Sequence, residues 1–260
     1  MAKQESSPFL TNQSTEKALA ILELLAAAKE PMRLSSISEQ LGLNASTSVR
    51  FLNALIRCGY AEKNNDQRYR LTYKICRLSN QVREHTSLQS VTHPWLLELS
   101  NRYHEALCVS IEQDMQMVYI DVVAGSHQTL MSLQQIGNVS PMHCTGNGKL
   151  ALLNYSDEQL DELIARRGLH RYTENTLTTK EALCRELSQI RAEDVAYDRE
   201  ECELGIRCIA CPIRDDTGAV VAGISITGPA VRMRDETLAT LRKPLHDAAV
   251  QISRSIGWES

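Results

Sequence analysis

Residues 35–60 read SSISEQLGLNASTSVRFLNALIRCGY, and this stretch restricts the fold tightly because two helix signals stand there with almost nothing between them. Ser36 and Glu39 form an S-x-x-E capping box opening a short helix that turns Ile37 and Leu41 inward, and Gly42 ends it. Only Leu43 to Ala45 separates that helix from a second start signal at Ser46, after which Val49, Leu52, Leu55 and Ile56 recur at helical spacing. Helices joined by so short a turn must cross steeply to bury both apolar faces in one core, the geometry of a helix-turn-helix.

The outer face of the second helix carries Ser46, Thr47, Ser48, Arg50, Asn53 and Arg57. Short hydroxyls in a first turn reach phosphates or base edges, and an arginine can grip a guanine edge in the major groove. Ser46, Thr47, Ser48, Arg50 and Asn53 are therefore expected to contact double-stranded DNA, with a plain helical hairpin and its solvated face as the alternative. The flanks favour DNA. Upstream, Lys17 to Ala28 carries a broad apolar face through Ala18, Leu19, Ile21, Leu22, Leu24 and Leu25 and stops before Pro31. Downstream, YAEKNNDQRYRLTYK places two short alternating segments around Asn64-Asn65-Asp66, a hairpin wing presenting Lys63, Arg68 and Arg70. Arg33 joins this set of cations. The expectation is a disordered polar tail over residues 1–13 and a winged helix-turn-helix domain over 14–76.

Charge divides the chain in the same way. The first 90 residues hold 12 Lys and Arg against 8 Asp and Glu, whereas the remainder holds 16 against 24. A basic piece suited to a polyanion is carried on an acidic partner. With 260 residues, two domains can each bury a core without disulfide or metal staples. No apolar run approaches the roughly 18 to 20 residues that span a bilayer, and the N-terminus lacks a signal-peptide pattern. The chain thus reads as a soluble cytoplasmic protein with no membrane partner. Its eight cysteines are scattered, as free thiols in a reducing compartment are.

Residues 73–105 form a long helical pattern interrupted by HPW at 93–95, where Pro94 is expected to open a new helix. A linker helix over 77–90 and a second domain over 91–260 follow from it. In that domain CVSIEQ, MVYIDVVA and QTLMSLQ read as antiparallel strands, with helices near 145–166 and 179–193. Strands near 207–213 and 219–227 meet at Asp215-Asp216-Thr217-Gly218, and a helix over 235–256 closes the chain. The fold class is α+β, with helices gathered on an antiparallel sheet.

Three features of the second domain invite chemistry. Cys208 and Cys211 are spaced as CxxC, but strand alternation sends Cys208, Ala210 and Pro212 to one face and Ile209, Cys211 and Ile213 to the other. Thiols on opposite faces do not chelate one metal, no second short-spaced pair accompanies them, and a redox CxxC normally opens a helix. No metal and no cofactor is expected. In AVVAGISITGP, Val220, Ala222, Ile224 and Ile226 share one face and Val221, Gly223, Ser225 and Thr227 the other, so two hydroxyls point the same way beside a glycine. Thr145-Gly146-Asn147-Gly148 leads into a helix whose free N–H groups suit an anion, with an ordinary helix start equally consistent. It is not a phosphate-binding P-loop, because Leu150 follows Lys149 where Ser or Thr is required. No Ser, His and acid set and no HExxH spacing appears, so no catalytic residue is assigned.

In combination, LGLNASTSVRFLNALIRCGY, PMHCTGNGKLAL, RRGLHRYTENTL, YDREECELGIRCIACPI and GISITGP resemble the IclR family of bacterial transcriptional regulators, from about residue 14 onward. The resemblance implies a winged helix-turn-helix, a linker helix and a GAF-like effector-binding domain, assembled as a homodimer or a dimer of dimers. It also implies that Gly146, Asn147, Asp198, Cys208, Ser225 and Thr227 line a pocket for a small carboxylate effector. Asn147 stands where many members have a small apolar residue, and Thr227 where serine is common. Both add bulk or hydrogen-bonding capacity, so the ligand is expected to differ from those of the best-known members. A carboxylate at Asp198 disfavours a bound carboxylate unless the ligand offers it a hydroxyl or Asp198 is protonated, so a hydroxy or sugar acid is expected over a plain aromatic acid. A thiol-based redox switch or enzyme using Cys208 is the alternative.

Overall fold

Asn12 caps the first described helix: its Oδ1 accepts from the backbone N–H groups of Ser14 at 3.1 Å and Thr15 at 3.3 Å, at the start of α1 (Gln13–Ala27). The computed structural model describes residues 12–85, 87–126 and 134–259. The chain divides into two compact units between Thr86 and Ser87. Most of the expected N-terminal tail lies outside the described residues, but Gln13, assigned to it, is already helical.

In the first unit a two-residue strand, β1 (Met32–Arg33), precedes α2 (Leu34–Gln40). The expected capping box is not formed. Arg33 occupies the N-cap without a side-chain hydrogen bond, and the helix starts early enough to place Ser36 inside it. Gly42, at φ +61°, takes the left-handed turn after α2. The next helix, α3 (Ala45–Arg57), is capped by Asn44 and not by Ser46; Asn44 Oδ1 accepts the Thr47 N–H at 2.8 Å. The wing is β2 (Ala61–Lys63) and β3 (Arg68–Leu71), and β1 completes an antiparallel sheet in the order β1-β3-β2. Ile21 and Leu25 of α1, Ile37 of α2, Phe51 and Leu52 of α3, and Ala61 and Tyr69 of the wing form its core. Phe51 replaces Val49 as the core residue of that helix turn, and Leu19, expected on the apolar face of α1, is exposed.

Next comes α4 (Lys74–His85), starting before the expected linker and ending short of residue 90. In the second unit, Ser87 Oγ accepts the Ser90 N–H at 3.1 Å and caps α5 (Leu88–Tyr103). Pro94 therefore lies inside α5 instead of opening a helix. Its ring removes the bond that the Ser90 carbonyl would accept, but Ser90 is exposed to water, and buried Leu96 and Leu99 hold the helix on the core.

The sheet of this unit comprises β4 (Ala106–Gln113), β5 (Gln116–Val123), β6 (Val139–Ser140), β7 (Ala196–Arg199), β8 (Ile206–Arg214) and β9 (Val220–Pro229). All pairings are antiparallel and the order is β6-β5-β4-β9-β8-β7. The expected strand QTLMSLQ lies, but for Gln134, outside the described residues. One face packs on α5 and on α9 (Asp235–Ser255), burying Val109, Ile209, Cys211, Ile224 and Ile226. The other carries α6 (Gly146–Ala151), α7 (Asp157–Arg167) and α8 (Lys180–Glu193). The helical region near 145–166 is thus two helices, because a 3-10 turn over Leu152–Asn154 ends the first and Ser156 with Gln159 forms a capping box for the second. A register shift between Ile213 and Arg214 pairs Arg214 with Val220. The shift sends Val220 to the cluster under α6 and Val221 to the opposite one, reversing their expected faces.

Candidate functional site

The first unit sorts the expected DNA contacts into exposed and engaged groups. Ser46, Arg50 and Asn53 are exposed along the outer face of α3, with Arg57 beyond them. Thr47 is half-buried in the capped first turn. Ser48 does not belong with them: it is fully buried, and its hydroxyl accepts from Ser38 Oγ at 2.9 Å and donates to the Asn44 carbonyl at 3.3 Å. It fastens α3 to α2, because one helical step beyond Thr47 turns the side chain into the hairpin interior. On the wing, Arg70 Nε donates to Glu62 Oε1 at 2.6 Å across the β2–β3 pair, and Lys63 Nζ stands 5.4 Å from the Tyr69 ring centre. Arg33 is the register partner of Arg68, so β1 and β3 place two cations side by side.

The second unit gathers Gly146, Asn147, Asp198, Cys208, Ser225 and Thr227 around one cavity of about 380 Å³, a volume in the range of small-molecule sites. Strand register explains their convergence. Asp198 of β7 pairs with Cys208 of β8, which pairs with Thr227 of β9, so the three stand in a row across neighbouring strands. One step along β9, Ser225 pairs with Cys108 of β4, and their side chains lie 3.0 Å apart, Cys108 Sγ to Ser225 Oγ. Helix α6 closes over this floor, and its glycines permit the approach. A Cβ on Gly146 would stand 2.8 Å from Cys208 Sγ, and one on Gly223 of β9 would stand 2.5 Å from Asn147 Oδ1.

The polar groups are arranged as follows. The Gly146 N–H donates to Cys208 and the Gly148 N–H to Thr145 Oγ1 at 3.2 Å, so two first-turn donors of α6 are already engaged. Asn147 Nδ2 donates to Ser110 Oγ at 2.9 Å, while its Oδ1 is buried without a partner. Gln134 Nε2 donates to Thr227 Oγ1 at 3.0 Å. Among the described residues no Lys or Arg lines the cavity. Asp198 Oδ1 accepts from the Glu201 N–H at 2.7 Å and the Cys202 N–H at 3.4 Å, which leaves Oδ2 as its oxygen for a ligand. Burial pushes the Asp198 carboxyl up to about 7, against the pull of those N–H donors and of Lys149.

Lys149 itself was not singled out from the sequence. It is fully buried on α6, with Nζ at 2.7 Å from Glu201 Oε1 and 3.1 Å from Glu186 Oε1. Glu201 in turn receives Thr176 Oγ1 on its backbone carbonyl at 2.7 Å. Two ion pairs of Lys149 therefore tie α6 to α8 and to the turn after β7, and the Thr176 hydrogen bond adds the 173–176 loop.

Cys108, Tyr119, Ser140, Tyr172 and Cys202 also line the cavity and were missed. The alternation of CVSIEQ places Cys108 and Ser110 on one face and was a usable signal; Tyr172 and Cys202 come from irregular segments that have none. Cys208 is a poor nucleophile: it is buried, burial pushes its thiol up, and Asp198 beside it acts in the same direction. The reading of Cys208 as a redox or enzymatic centre finds no support. Cys211 lies on the opposite face, in the core against α9.

The described residues contain no helix long and apolar enough to cross a membrane and no group of three or more His, Cys, Asp or Glu placed to hold a metal ion. A family model described as the IclR helix-turn-helix domain matches residues 14–65, and one described as the bacterial transcriptional regulator IclR C-terminal matches residues 80–254. The regulator XynR of Escherichia coli is 31% identical over 247 residues, 95% of this chain and 98% of its own length. The regulator KdgR of the same organism is 31% identical over 94% of this chain and 93% of its own. The crystal structure of Thermotoga maritima IclR superposes with a TM-score of 0.63 at 29% identity, covering 94% of this chain and 99% of that one. With both of its units matched in this way, the chain belongs to the IclR family of bacterial transcriptional regulators.

Proposed function

We propose that this regulator senses a small hydroxy or sugar acid in the cavity of its second unit and that the bound acid changes the operator affinity of the winged helices. The observation that supports the reading is the convergence of six residues, contributed by α6, β7, β8 and β9, on one cavity. With no cation on the described wall, an acid is held by N–H and hydroxyl donors, chiefly the Asn147 N–H, Ser225 and Thr227. Asp198 then accepts from a ligand hydroxyl, or keeps its proton and donates. A homodimer, or a dimer of such dimers, places paired α3 helices on a pseudo-palindromic operator. A coupling of about 1–3 kcal/mol changes operator affinity by roughly 5- to 150-fold.

Calorimetry with a panel of hydroxy and sugar acids tests the cavity. For the acid that binds, Ser225→Ala is expected to weaken affinity by about 1 kcal/mol, roughly fivefold, through loss of one hydrogen bond. Unchanged affinity in both Ser225→Ala and Asp198→Ala removes the cavity from the reading.

Operator contact falls to Ser46, Thr47, Arg50 and Asn53 of α3 and to Arg33, Lys63, Arg68 and Arg70 near the wing, with Ser48 excluded by its burial. In fluorescence anisotropy on operator DNA, Arg50→Ala is expected to cost about 1–3 kcal/mol and to relax specificity at one base pair. Equal weakening on operator and unrelated DNA would make Arg50 a phosphate contact instead.

A further inference from the structure

Gln134, in the connection between β5 and β6, is not among the six residues that converge on the cavity, yet it reaches the same space. Its side chain is half-buried, lines the cavity and donates from Nε2 to Thr227 Oγ1 at 3.0 Å. A primary amide carries two N–H hydrogens, and Thr227 takes one of them. A hydroxyl that accepts a hydrogen bond keeps its own hydrogen to give, so Gln134 turns Thr227 into a donor. The two side chains make a neutral donor pair at one end of the row in which Asp198 pairs with Cys208 and Cys208 with Thr227. The carboxylates that line the cavity come from the other end: Asp198 belongs to β7, and Glu203 to the turn that follows it. Neighbouring strands lie about 4.8 Å apart, so two strand spacings separate Thr227 from Asp198 by about 10 Å.

We propose that Gln134 is a specificity-determining residue of the cavity: with Thr227 it receives the carboxylate of the ligand, while Asp198 Oδ2 at the far end meets a ligand hydroxyl. This orientation rests on the cavity's being a site for a hydroxy or sugar acid, and it fixes which way round such an acid lies. Electrostatics favours the direction. Carboxylates repel less the further apart they stand, and the described wall holds no cation to offset a second one at the Asp198 end. A carboxylate also presents two oxygens, one for the amide donor and one for the hydroxyl donor. The strand spacing then sets the length of the ligand. Hydrogen bonds of about 3 Å at each end leave roughly 4 Å of the span of about 10 Å, and more where the bonds slope away from the sheet. At about 1.3 Å per C–C bond along an extended chain, the acid has about four to six carbons. A two-carbon acid reaches one end only.

Calorimetry on the full chain with glycolate, glycerate, threonate and gluconate tests this. Affinity is expected to rise along the series, by about tenfold or more from glycolate to gluconate, as hydrogen bonds at the second end are added. For gluconate, Gln134→Leu is expected to weaken binding about fivefold through loss of one hydrogen bond. Gln134→Glu is expected to weaken it by roughly tenfold or more, because the added charge faces the bound carboxylate. Gln134 is only half-buried, and both variants are expected to keep the urea midpoint of the parent. Equal losses in the two variants would make Gln134 a wall residue that meets no carboxylate, and unchanged affinity in both would make it no contact at all; either overturns the proposal. So does glycolate binding as tightly as gluconate, a comparison that needs no variant and decides the matter if one of them does not fold. An acid whose affinity falls in Ser225→Ala but is untouched in Gln134→Glu leaves the cavity as the acid site and removes only this orientation; binding by none of the four acids removes both.

Discussion

Lys149→Met is expected to destabilise the second unit by about 3–5 kcal/mol, the usual effect of removing one partner from a buried ion pair. Lys149 is fully buried and holds Glu201 at 2.7 Å and Glu186 at 3.1 Å. Glu201 Oε2 is already buried without a partner, and its Oε1 would keep only the Arg199 N–H at 3.4 Å. Methionine fills much of the lysine volume, so the loss reports isolated charge more than a cavity. Both tryptophans, Trp95 and Trp258, lie in the second unit, and their fluorescence in a urea titration follows that unit alone. Adding Glu201→Gln to Lys149→Met should restore at least half of the loss, because the second change removes the stranded carboxylate. A double variant no more stable than Lys149→Met would place the cost in packing instead of charge.

Lys149 also marks where the sequence ceased to be legible. The helix-turn-helix, the β8–β9 hairpin and the six expected cavity residues follow from period and family motif, because strand alternation fixes which of Cys208, Ser225 and Thr227 face the same side. Lysine is rarely buried, and nothing in GNGKLAL signals that Lys149 turns inward to meet carboxylates from α8 and from the turn after β7. Ser48 failed for a related reason. Its hydroxyl looked like a DNA contact by composition, but Asn44 caps α3 and the helix begins at Ala45, which sets the phase that points Ser48 at Ser38. Val220 and Val221 were reversed because a bulge at Ile213/Arg214 leaves no mark in the alternation of either strand. Pro94 read as a helix start, since its missing N–H is tolerated there; the Ser87 cap, seven residues earlier, was the stronger signal.

Asp198→Asn is expected to leave stability near pH 4 unchanged and to raise it progressively above that, by up to about 4 kcal/mol near pH 8. In the folded chain burial holds the Asp198 carboxyl at about 7, against an ordinary value of 3.8. Below the ordinary value both states carry the proton, and the stability of the neutral side chain is fully present. As pH rises toward 7 the unfolded chain releases the proton while the folded chain keeps it, so stability falls by about 1.4 kcal/mol per pH unit. Above 7 both states are ionised and the loss levels off. Asparagine carries no proton to lose, and its Oδ1 can still accept from the Glu201 and Cys202 N–H groups that now bond Asp198. The difference between variant and parent, read from tryptophan-monitored urea titrations between pH 4.5 and 8, isolates this one group from Glu201, which burial also pushes up. Parallel curves would mean that Asp198 is ionised across the whole range. The cavity would then present a fixed negative charge with no cation on its described wall, and an acid could stand beside it only by offering a hydroxyl that Asp198 accepts.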